Sequence, residues 1–579
     1  MPDKKTKFLL PAAGIALVLA GGVTAYLYFK GGVSGGISDA LNSAKLVPDE
    51  ASMAVYISTE DKVWQKLRQL GTPQAQQTVA QSLENWKKDL VGDNNISWIG
   101  GVMVAVIPPD STQGSIQSNV GGNGNIENIA QNTSQNQPLT QPKANFLMVV
   151  GIKDKIAAAD FANKIRSQKG VKSKEIDYQG IKITEAIDAQ SSATYSTVLN
   201  DRIVLAPQKQ TVEKAIDTFK GEPSFTSKPG ATELFNQNLN LENTLAQVYL
   251  PKGSLEKLSA TSTRIQNLPT PLSVQLQQTQ SLVAGLSVED DGIRVKSISN
   301  LDPQIQRVSA SNSNGEISEK LPSNTIVLLN GNNINNWWSI FQQQYREYNP
   351  DFNQSIQQLR LQTKNRLNLD LDKDIFGWMD REFAFAAIPT EQGFLGQIGA
   401  GGVLIVKTSD RATATTAFQK LDKIVQQELP RRNVPITVET VKIGDKDVTQ
   451  WQILGQPALV SHGWLDNNTA FIALGNSVTK TIAQPLQESL RDNQKFQTIS
   501  QSLPASKNIY MYVDVDGSYK VINALTPFLS VISPQSRLLS PKYQTVINSI
   551  GDIGLTTNSP NKNTSQLEVF VKLKKNQNN

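Results

Sequence analysis

The most strongly apolar stretch of the chain is residues 8–29, FLLPAAGIALVLAGGVTAYLYF, which contains no charged residue. As a helix rising about 1.5 Å per residue it would be about 33 Å long, enough to cross a bilayer. Three lysines precede it, so the positive-inside rule places residues 1–7 in the cytoplasm and the remaining chain on the other side. We therefore predict a single-pass transmembrane anchor whose partner is the lipid bilayer, followed by a flexible tether over residues 30–44.

A cleaved signal peptide is the alternative interpretation of this segment, with Val23-Thr24-Ala25 as a small-residue cleavage site. The apolar run continues through Phe29 and is longer than a typical signal sequence, which favours a retained anchor. Both interpretations place the bulk of the chain in an exported compartment such as the periplasm.

Beyond the anchor, short apolar runs alternate with helical patterns. The run at 149–152 leads into a pattern with Ile156, Phe161 and Ile165 on one helical face. Two apolar runs, 102–107 and 146–150, follow each other with no helical pattern between them, which favours antiparallel pairing. We therefore predict an α+β fold with mainly antiparallel sheets.

The same order of motifs occurs twice, at a spacing of about 255–275 residues. The matched segments are LVPDEASMAVYIS with LPSNTIVLLNGNN, NFLMVVGIKD with GGVLIVKTSD, VLNDRIVLAP with WLDNNTAFIAL, and LAQVYLPKGS with IYMYVDVDGS. The conserved order predicts a tandem duplication into two homologous α+β domains, residues 45–301 and 321–574. Residues 302–320 then form the linker, and residues 575–579 form a polar tail.

The segment SWIGGVMVAVIPP, residues 97–109, has a counterpart in FGWMDREFAFAAIPT. Only six apolar residues follow Gly101 before two prolines, which is too short for a membrane span and predicts a buried strand. The counterpart has Asp380-Arg381 in place of Gly100-Gly101, so these glycines are not a required phosphate cradle. Trp98 and Trp378 are predicted to be equivalent packing anchors.

A segment rich in Asn, Gln, Ser and Gly, residues 110–142, separates two of the predicted strands in the first half. Such a composition cannot bury a core, so we predict a disordered insert at a solvent-facing hairpin tip. The second half has only residues 391–400 at this place.

The composition excludes several classes of function. The chain has no cysteine and one histidine, His462, so disulfides, thiolate metal sites and multi-histidine metal sites within one chain are excluded. Lysine and arginine number 56 against 51 acidic residues, and no basic block is interleaved with aromatic residues. Nucleic acid is therefore not an expected partner.

Two sets of side chains could carry chemistry. Asp370, Asp372 and Asp374 alternate as at the start of a calcium loop, but Ile375 and Arg381 stand where such a loop needs Gly and Glu. They are weak metal candidates, and a solvated turn is the favoured interpretation. His462 is predicted to be an exposed strand-end histidine. No other catalytic or cofactor-binding residues are predicted, and no cofactor is expected.

The strand LVPDEASMAVYIS, the segments ISWIGGVMVAVIP and FGWMDREFAFAAIP, and the strand DRIVLAP resemble a cyanobacterial family known as domain of unknown function 3352. The resemblance covers nearly the whole region after the anchor. It implies a cyanobacterial envelope or thylakoid-facing protein. The family brings no activity and therefore no functional residues.

We consider three hypotheses for the function. The favoured one is a non-catalytic interaction or scaffold module of the cell envelope with a protein partner. The second is a binding module that holds a lipid, pigment or glycan in a groove between sheet and helices. The third is a hydrolase that uses carboxylates alone, because Asp and Glu are plentiful.

Overall fold

A computed structural model gives the structure of the chain. It describes residues 37–81, 99–108, 145–159, 172–187, 193–228, 239–254, 279–303, 315–339, 350–428, 435–505, 508–532, 547–561 and 563–574, with a few single positions between them. The predicted transmembrane segment 8–29, the predicted insert 110–142 and Trp98 lie outside these residues.

The strands divide into two sets of ten along the chain. The first set is β1 (Met53–Ile57), β2 (Ile99–Ile107), β3 (Asn145–Ile152), β4 (Lys172–Tyr178), β5 (Ile181–Ile187), β6 (Ala193–Leu199), β7 (Arg202–Ala206), β8 (Thr244–Leu250), β9 (Thr279–Val288) and β10 (Gly292–Leu301). The second set is β11 (Val327–Asn332), β12 (Glu382–Pro389), β13 (Ala400–Lys407), β14 (Ile436–Ile443), β15 (Lys446–Ile453), β16 (Val460–Trp464), β17 (Thr469–Leu474), β18 (Ile509–Asp514), β19 (Ile550–Asn561) and β20 (Thr564–Leu573).

Helices connect and cover these strands. They are α1 (Ile37–Ala44), α2 (Asp61–Gln69), α3 (Lys209–Phe219), α4 (Pro350–Leu367), α5 (Gly393–Ile398), α6 (Arg411–Glu428), α7 (Asn476–Ala483), α8 (Gln494–Gln501) and α9 (Val515–Ile532). Short 3-10 turns occur at Phe225–Ser227, Glu316–Lys320 and Leu490–Asp492, and one π-helical turn at Leu371–Phe376.

All strands belong to one antiparallel sheet of 20 strands. In the first half the neighbours run β4-β5-β6-β7-β3-β2-β1-β8-β9-β10, and the second half repeats that order as β14-β15-β16-β17-β13-β12-β11-β18-β19-β20. The last strands of the two halves, β10 and β20, pair with each other and join the halves.

The predicted fold class is corrected on this point. We expected an N-terminal transmembrane helix followed by two homologous α+β domains with mainly antiparallel sheets. The structure is instead a single, mostly antiparallel sheet, because the backbone groups at the outer edge of β10 are paired with β20. The boundaries of the two domains stay a prediction.

The prediction of a single-pass membrane protein is also corrected. In the described part of the chain, no helix is both long enough and apolar enough to cross a bilayer. A single-pass anchor is therefore not supported, nor is the localisation based on it. The tether is wrong over its second part, because residues 37–44 form α1, and Ala40 and Ala44 are fully buried against the sheet.

The two halves meet at a largely buried ion pair. Val295 of β10 pairs with Val569 of β20, and Arg294 and Glu568 precede them as equivalent residues of Ile-Arg-Val and Leu-Glu-Val segments. The guanidinium of Arg294 binds the Glu568 carboxylate across the β10–β20 pair and donates to the Ser502 carbonyl oxygen at 2.7 Å. Opposite charges at equivalent positions therefore hold the halves together.

Each half of the sheet is covered on both faces. In the second half, one face packs on α7, α8 and the turn 316–320, around Ile405, Phe471 and Tyr512. The other face packs on α6 around Phe418 and Trp378. In the first half, residues of β2 belong to buried clusters on both faces, which explains why its sequence, IGGVMVAVI, is apolar throughout instead of alternating.

Candidate functional site

The matching strand registers allow the two halves to be compared residue by residue. Val55 of β1 pairs with Val104 of β2, and at the same place in the second half Leu329 of β11 pairs with Phe385 of β12. Val104 is 3% exposed, whereas Phe385 is 45% exposed. At this register position the face of the sheet is therefore buried in the first half and partly exposed in the second.

Two residues further along the strands, the second half has smaller side chains than the first. Val106 pairs with Phe146 in the first half, and Ala387 pairs with Gly402 in the second. A Cβ atom on Gly402 would have the Leu474 Cδ1 atom at 3.6 Å and the Ala386 carbonyl oxygen at 3.9 Å as its nearest neighbours. These distances are ordinary van der Waals contacts, so Gly402 leaves room for a Cβ atom where the first half has Phe146.

Two rows of half-buried or exposed side chains cross six neighbouring strands at this place, and we call them the apolar trough. One row is Leu555, Met511, Leu329, Phe385, Leu404 and Ile472. The next is Ile553, Val513, Val327, Ala387, Gly402 and Leu474.

The trough has a shape suited to a long, thin ligand. Strands about 4.8 Å apart make it about 24 Å long across the strand direction. It carries no charged or hydrogen-bonding side chain, and Leu474 at its end is 48% exposed. Of its twelve residues, Phe385 and Leu474 are exposed and the others are half-buried, with Leu404 and Ile472 packed against the cluster under α6. A partly exposed apolar surface of this kind is typical of a binding region.

The opposite face of the sheet differs between the halves as well. In the first half the ring of Tyr56 lies over Gly101, where a Cβ atom would overlap the phenol. The equivalent residues in the second half are Asn330 and Glu382, both buried. The Asn330 amide donates to the Glu382 Oε1 atom at 3.1 Å and to the Phe383 carbonyl oxygen at 2.9 Å.

This register also corrects the predicted counterparts of the glycine pair. Val102 and Phe383 hold equivalent register positions, so Gly101 corresponds to Glu382, which directly precedes Phe383, one residue later than we expected. Gly101 is needed because the Tyr56 ring approaches it closely. Gly100 is needed because a Cβ atom added there would lie 3.0 Å from the Gly151 backbone. The glycines therefore serve packing.

Two cavities lie on this face, one on each side of the Asn330–Glu382 hydrogen bond. The first, of about 390 Å³, is lined by Glu382, Glu316 and Lys407 among others. The Lys407 ammonium binds Glu316 and lies 3.7 Å from the Glu382 carboxylate. Although burial opposes a charge on Lys407, these carboxylates outweigh it and raise the pKa of the ammonium group.

The second cavity, of about 370 Å³, lies between β11, β18, α8 and the turn 316–320. Its floor contains Leu328, Asn330 and Tyr510, all buried, and its rim contains Gln497 and Gln501, both exposed. Burial raises the pKa of the Tyr510 phenol, so this hydroxyl stays protonated at neutral pH.

The structure directs the three predicted aspartates to different partners around the π-helical turn. Asp370 caps the turn by accepting from the backbone N–H groups of Asp372 and Lys373. Asp372 accepts from the Arg360 guanidinium at 2.8 Å, and Asp374 from the Lys420 ammonium at 2.8 Å. No group of three metal-ligating side chains occurs among the described residues.

Hydrogen bonds also perturb one of these carboxyl groups. Burial would raise the pKa of Asp372, but hydrogen bonds from Trp338, Gln342 and Arg360 outweigh burial and lower it. The turn therefore holds α4 and the residues after β11 against the sheet, and the three aspartate side chains have a structural role.

His462 lies in the middle of β16 and is 6% exposed, so the predicted exposed strand-end position is wrong. Its Nε2 atom is 2.8 Å from the Asp422 Oδ1 atom, which also accepts from the Trp451 indole at 2.7 Å. The imidazole stacks on Phe418 with ring centroids 4.4 Å apart. The cluster holds α6 against the sheet.

The residues of the apolar trough were missed because strands were recognised by their apolar pattern alone. One signal was present in the matched segments NFLMVV and GGVLIV, where Phe146 corresponds to Gly402. A large-to-small change between duplicated strands indicates a difference in packing. The sequence alone does not show that Ala387 lies beside Gly402, because this follows only from the strand register.

Comparison with known proteins gives a family but little beyond it. No curated protein matches the chain. Among solved structures, crystal forms III and IV of TP0453 are similar, with 11% and 12% identity, TM-scores of 0.25, and coverage of 46% of this chain and 82% and 83% of theirs. Residues 12–573 match the profile described as "Protein of unknown function (DUF3352)". The chain therefore belongs to the DUF3352 family.

Proposed function

We propose that the protein is a non-catalytic binding module whose apolar trough holds the acyl chain of a lipid. The observation that supports this most directly is the replacement of Val106 and Phe146 by Ala387 and Gly402 at the same register. The first half fills this surface with its own side chains, and the second half leaves it for a ligand. The cyanobacterial origin implied by the resemblance stays a prediction.

An acyl chain fits this surface better than a polar ligand or a pigment would. The trough is long and uncharged, and a polar ligand would lose hydrogen bonds to water without replacement there. It is also shallow, because its floor is a sheet, so a thin chain buries a larger share of its surface than a bulky ring system. Each buried methylene stabilises the complex by about 0.8 kcal/mol.

A carboxylate-dependent hydrolase receives less support from the same structure. Glu316 and Glu382 line one cavity, but the Lys407 ammonium lies between the two carboxylates. A glycosidic bond would need that space, since the acid and base of such enzymes flank the bond.

The test is native mass spectrometry of the full chain incubated with saturated fatty acids from laurate to palmitate. We expect one fatty acid per chain and an affinity that rises by up to about fourfold for each added methylene. Gly402→Phe, which restores the aromatic residue of the first half, should remove the bound mass. Ala387→Val should weaken it.

Val198→Phe is the matched control, because Val198 is an exposed strand residue of the first half. It adds an aromatic ring outside the trough and should leave fatty-acid binding unchanged. Equal binding by the parent chain and Gly402→Phe, with both folded by circular dichroism, contradicts the proposal. The proposal is also contradicted if the parent chain binds no fatty acid and a protein partner is instead found bound at the trough.

A further inference from the structure

The cavity beside α8 has a chemistry distinct from that of the apolar trough and lies on the other face of the sheet. Its polar groups are mainly uncharged amides and hydroxyls, from Asn330, Gln497, Gln501, Ser500, Ser318 and Tyr510. Amides and hydroxyls both donate and accept hydrogen bonds, so they match ligand groups that also do both.

Charged ligands find no suitable counter-charge there. The one charged lining residue, Arg491, binds the Glu319 carboxylate and is exposed at the rim. The Glu382 carboxylate lies behind Asn330, whose amide donates to it at 3.1 Å. An anion or a cation in this cavity would lose hydration without a paired charge.

The floor supplies an apolar contact as well. Phe496 packs edge-on against Tyr510, with ring centroids 5.8 Å apart, and both rings are largely buried. Leu328 completes the floor. A volume of about 370 Å³ is at the small end of ligand pockets, which hold about 300–1,000 Å³.

From this combination we infer that the cavity beside α8 is a binding site for a neutral saccharide of one or two sugar rings. The hydroxyl groups of the sugar would bind the amides of Gln497 and Gln501 at the rim, and a C–H face would pack on the floor. In the first half, Tyr56 stands at the position of Asn330, and its ring is directed over Gly101. The inference is independent of the acyl-chain proposal.

Titration calorimetry of the full chain with cellobiose, maltose and N-acetylglucosamine tests the inference. Glucuronate and glucosamine serve as sugars of similar size that carry one negative or one positive charge. We expect saturable binding of at least one neutral sugar and weaker binding of both charged ones. No binding of the three neutral sugars, or equal binding of the charged ones, overturns the inference.

Variants locate the binding site. Gln497→Ala and Gln501→Ala should each weaken the neutral sugar by about three- to tenfold, the loss of one or two hydrogen bonds. Ala505→Trp, at the exposed rim, should block the cavity. Gln494→Ala, an exposed glutamine of α8 that does not line the cavity, should change the affinity less than twofold.

Fatty-acid binding measured on the same variants separates the two proposals. It should be unchanged in all of them, because the trough lies on the other face of the sheet. Loss of sugar binding in Gln494→Ala, or its retention in Ala505→Trp, would place the sugar elsewhere and refute the assignment.

Discussion

The two halves of the sheet share one strand order, yet they use it differently. At positions related by register, the first half has Tyr56 over Gly101 on one face and Phe146 beside Val106 on the other. The second half has Asn330 with Glu382, and Gly402 with Ala387, and both faces open into surfaces or cavities there. The comparison suggests that one copy is kept for stability and the other for binding.

The largest expected effect is a difference in the loss of stability when equivalent core residues of the two halves are replaced. Tyr56→Ala should lower the free energy of unfolding by about 3–5 kcal/mol, because it empties a buried position among packed apolar side chains. Asn330→Ala, at the equivalent position, should cost about 1–3 kcal/mol through the hydrogen bonds to Glu382 and Phe383. Urea denaturation measures both, and equal losses would contradict the difference in packing.

The joint between the halves gives the next effect. Arg294→Ala leaves the carboxylates of Glu289 and Glu568 without their guanidinium partner and should cost about 3 kcal/mol. Because the residue ties β10 to β20, we expect the two halves to unfold in separate steps in this variant. A single cooperative transition with parent stability would show that strand pairing alone holds the halves together.

Replacing a strand glycine by alanine should change the stability in opposite directions in the two halves. Gly101→Ala places a methyl group in the Tyr56 ring and should destabilise the protein by about 1–3 kcal/mol. Gly402→Ala places it at ordinary van der Waals distances from its neighbours, without a strained backbone angle, and should stabilise the protein by about 0.4–1 kcal/mol. Thermal unfolding of both variants checks the signs, and destabilisation by Gly402→Ala would mean that the trough is already filled.

The smallest effect concerns acid stability in the second half. The pKa of Asp372 is lower in the folded chain than in the unfolded one, so its contribution is present above the ordinary aspartate pKa and is lost as pH falls through the folded value. Asp372→Asn should therefore reduce stability slightly at pH 7 and flatten the loss of stability below about pH 4. Because the side chain is partly exposed, the change should be a few tenths of a kcal/mol. Urea midpoints at pH 3 and pH 7 measure it, and an unchanged pH slope would argue against the hydrogen bonds to this carboxylate.

Several features of the fold could be predicted from local patterns. Antiparallel pairing of 102–107 with 146–150 follows from two apolar runs without a helix between them, and β2 and β3 pair in this way. The buried strand at 102–107 was predicted from its apolar run and its two following prolines, and every residue of β2 is buried. Such features depend on neighbours along the chain, which the sequence displays directly.

Features that depend on distant residues were mistaken. The sequence predicted an exposed His462, because the short apolar run before it resembles a strand end, whereas Phe418 and Asp422 of α6 bury the imidazole. It predicted a flexible tether where α1 packs on the sheet, because a short glycine-rich segment shows no tertiary partner. It assigned Asp380-Arg381 to the glycine pair because an offset of one residue is invisible without the register.

The sequence by itself determined the strand-forming segments, the repeated order of motifs and the exclusion of cysteine and multi-histidine chemistry, since each depends on composition or on local periodicity. Only the tertiary structure decided that the two halves form one sheet and that the three aspartates bind separate partners, namely backbone N–H groups, Arg360 and Lys420. It also decided that Gly402 and Ala387 form the floor of a partly exposed trough. The physical reason is that a glycine in a strand has the same local pattern whether a neighbouring side chain fills the space above it or not. Packing across strands that are far apart in sequence decides which of these occurs.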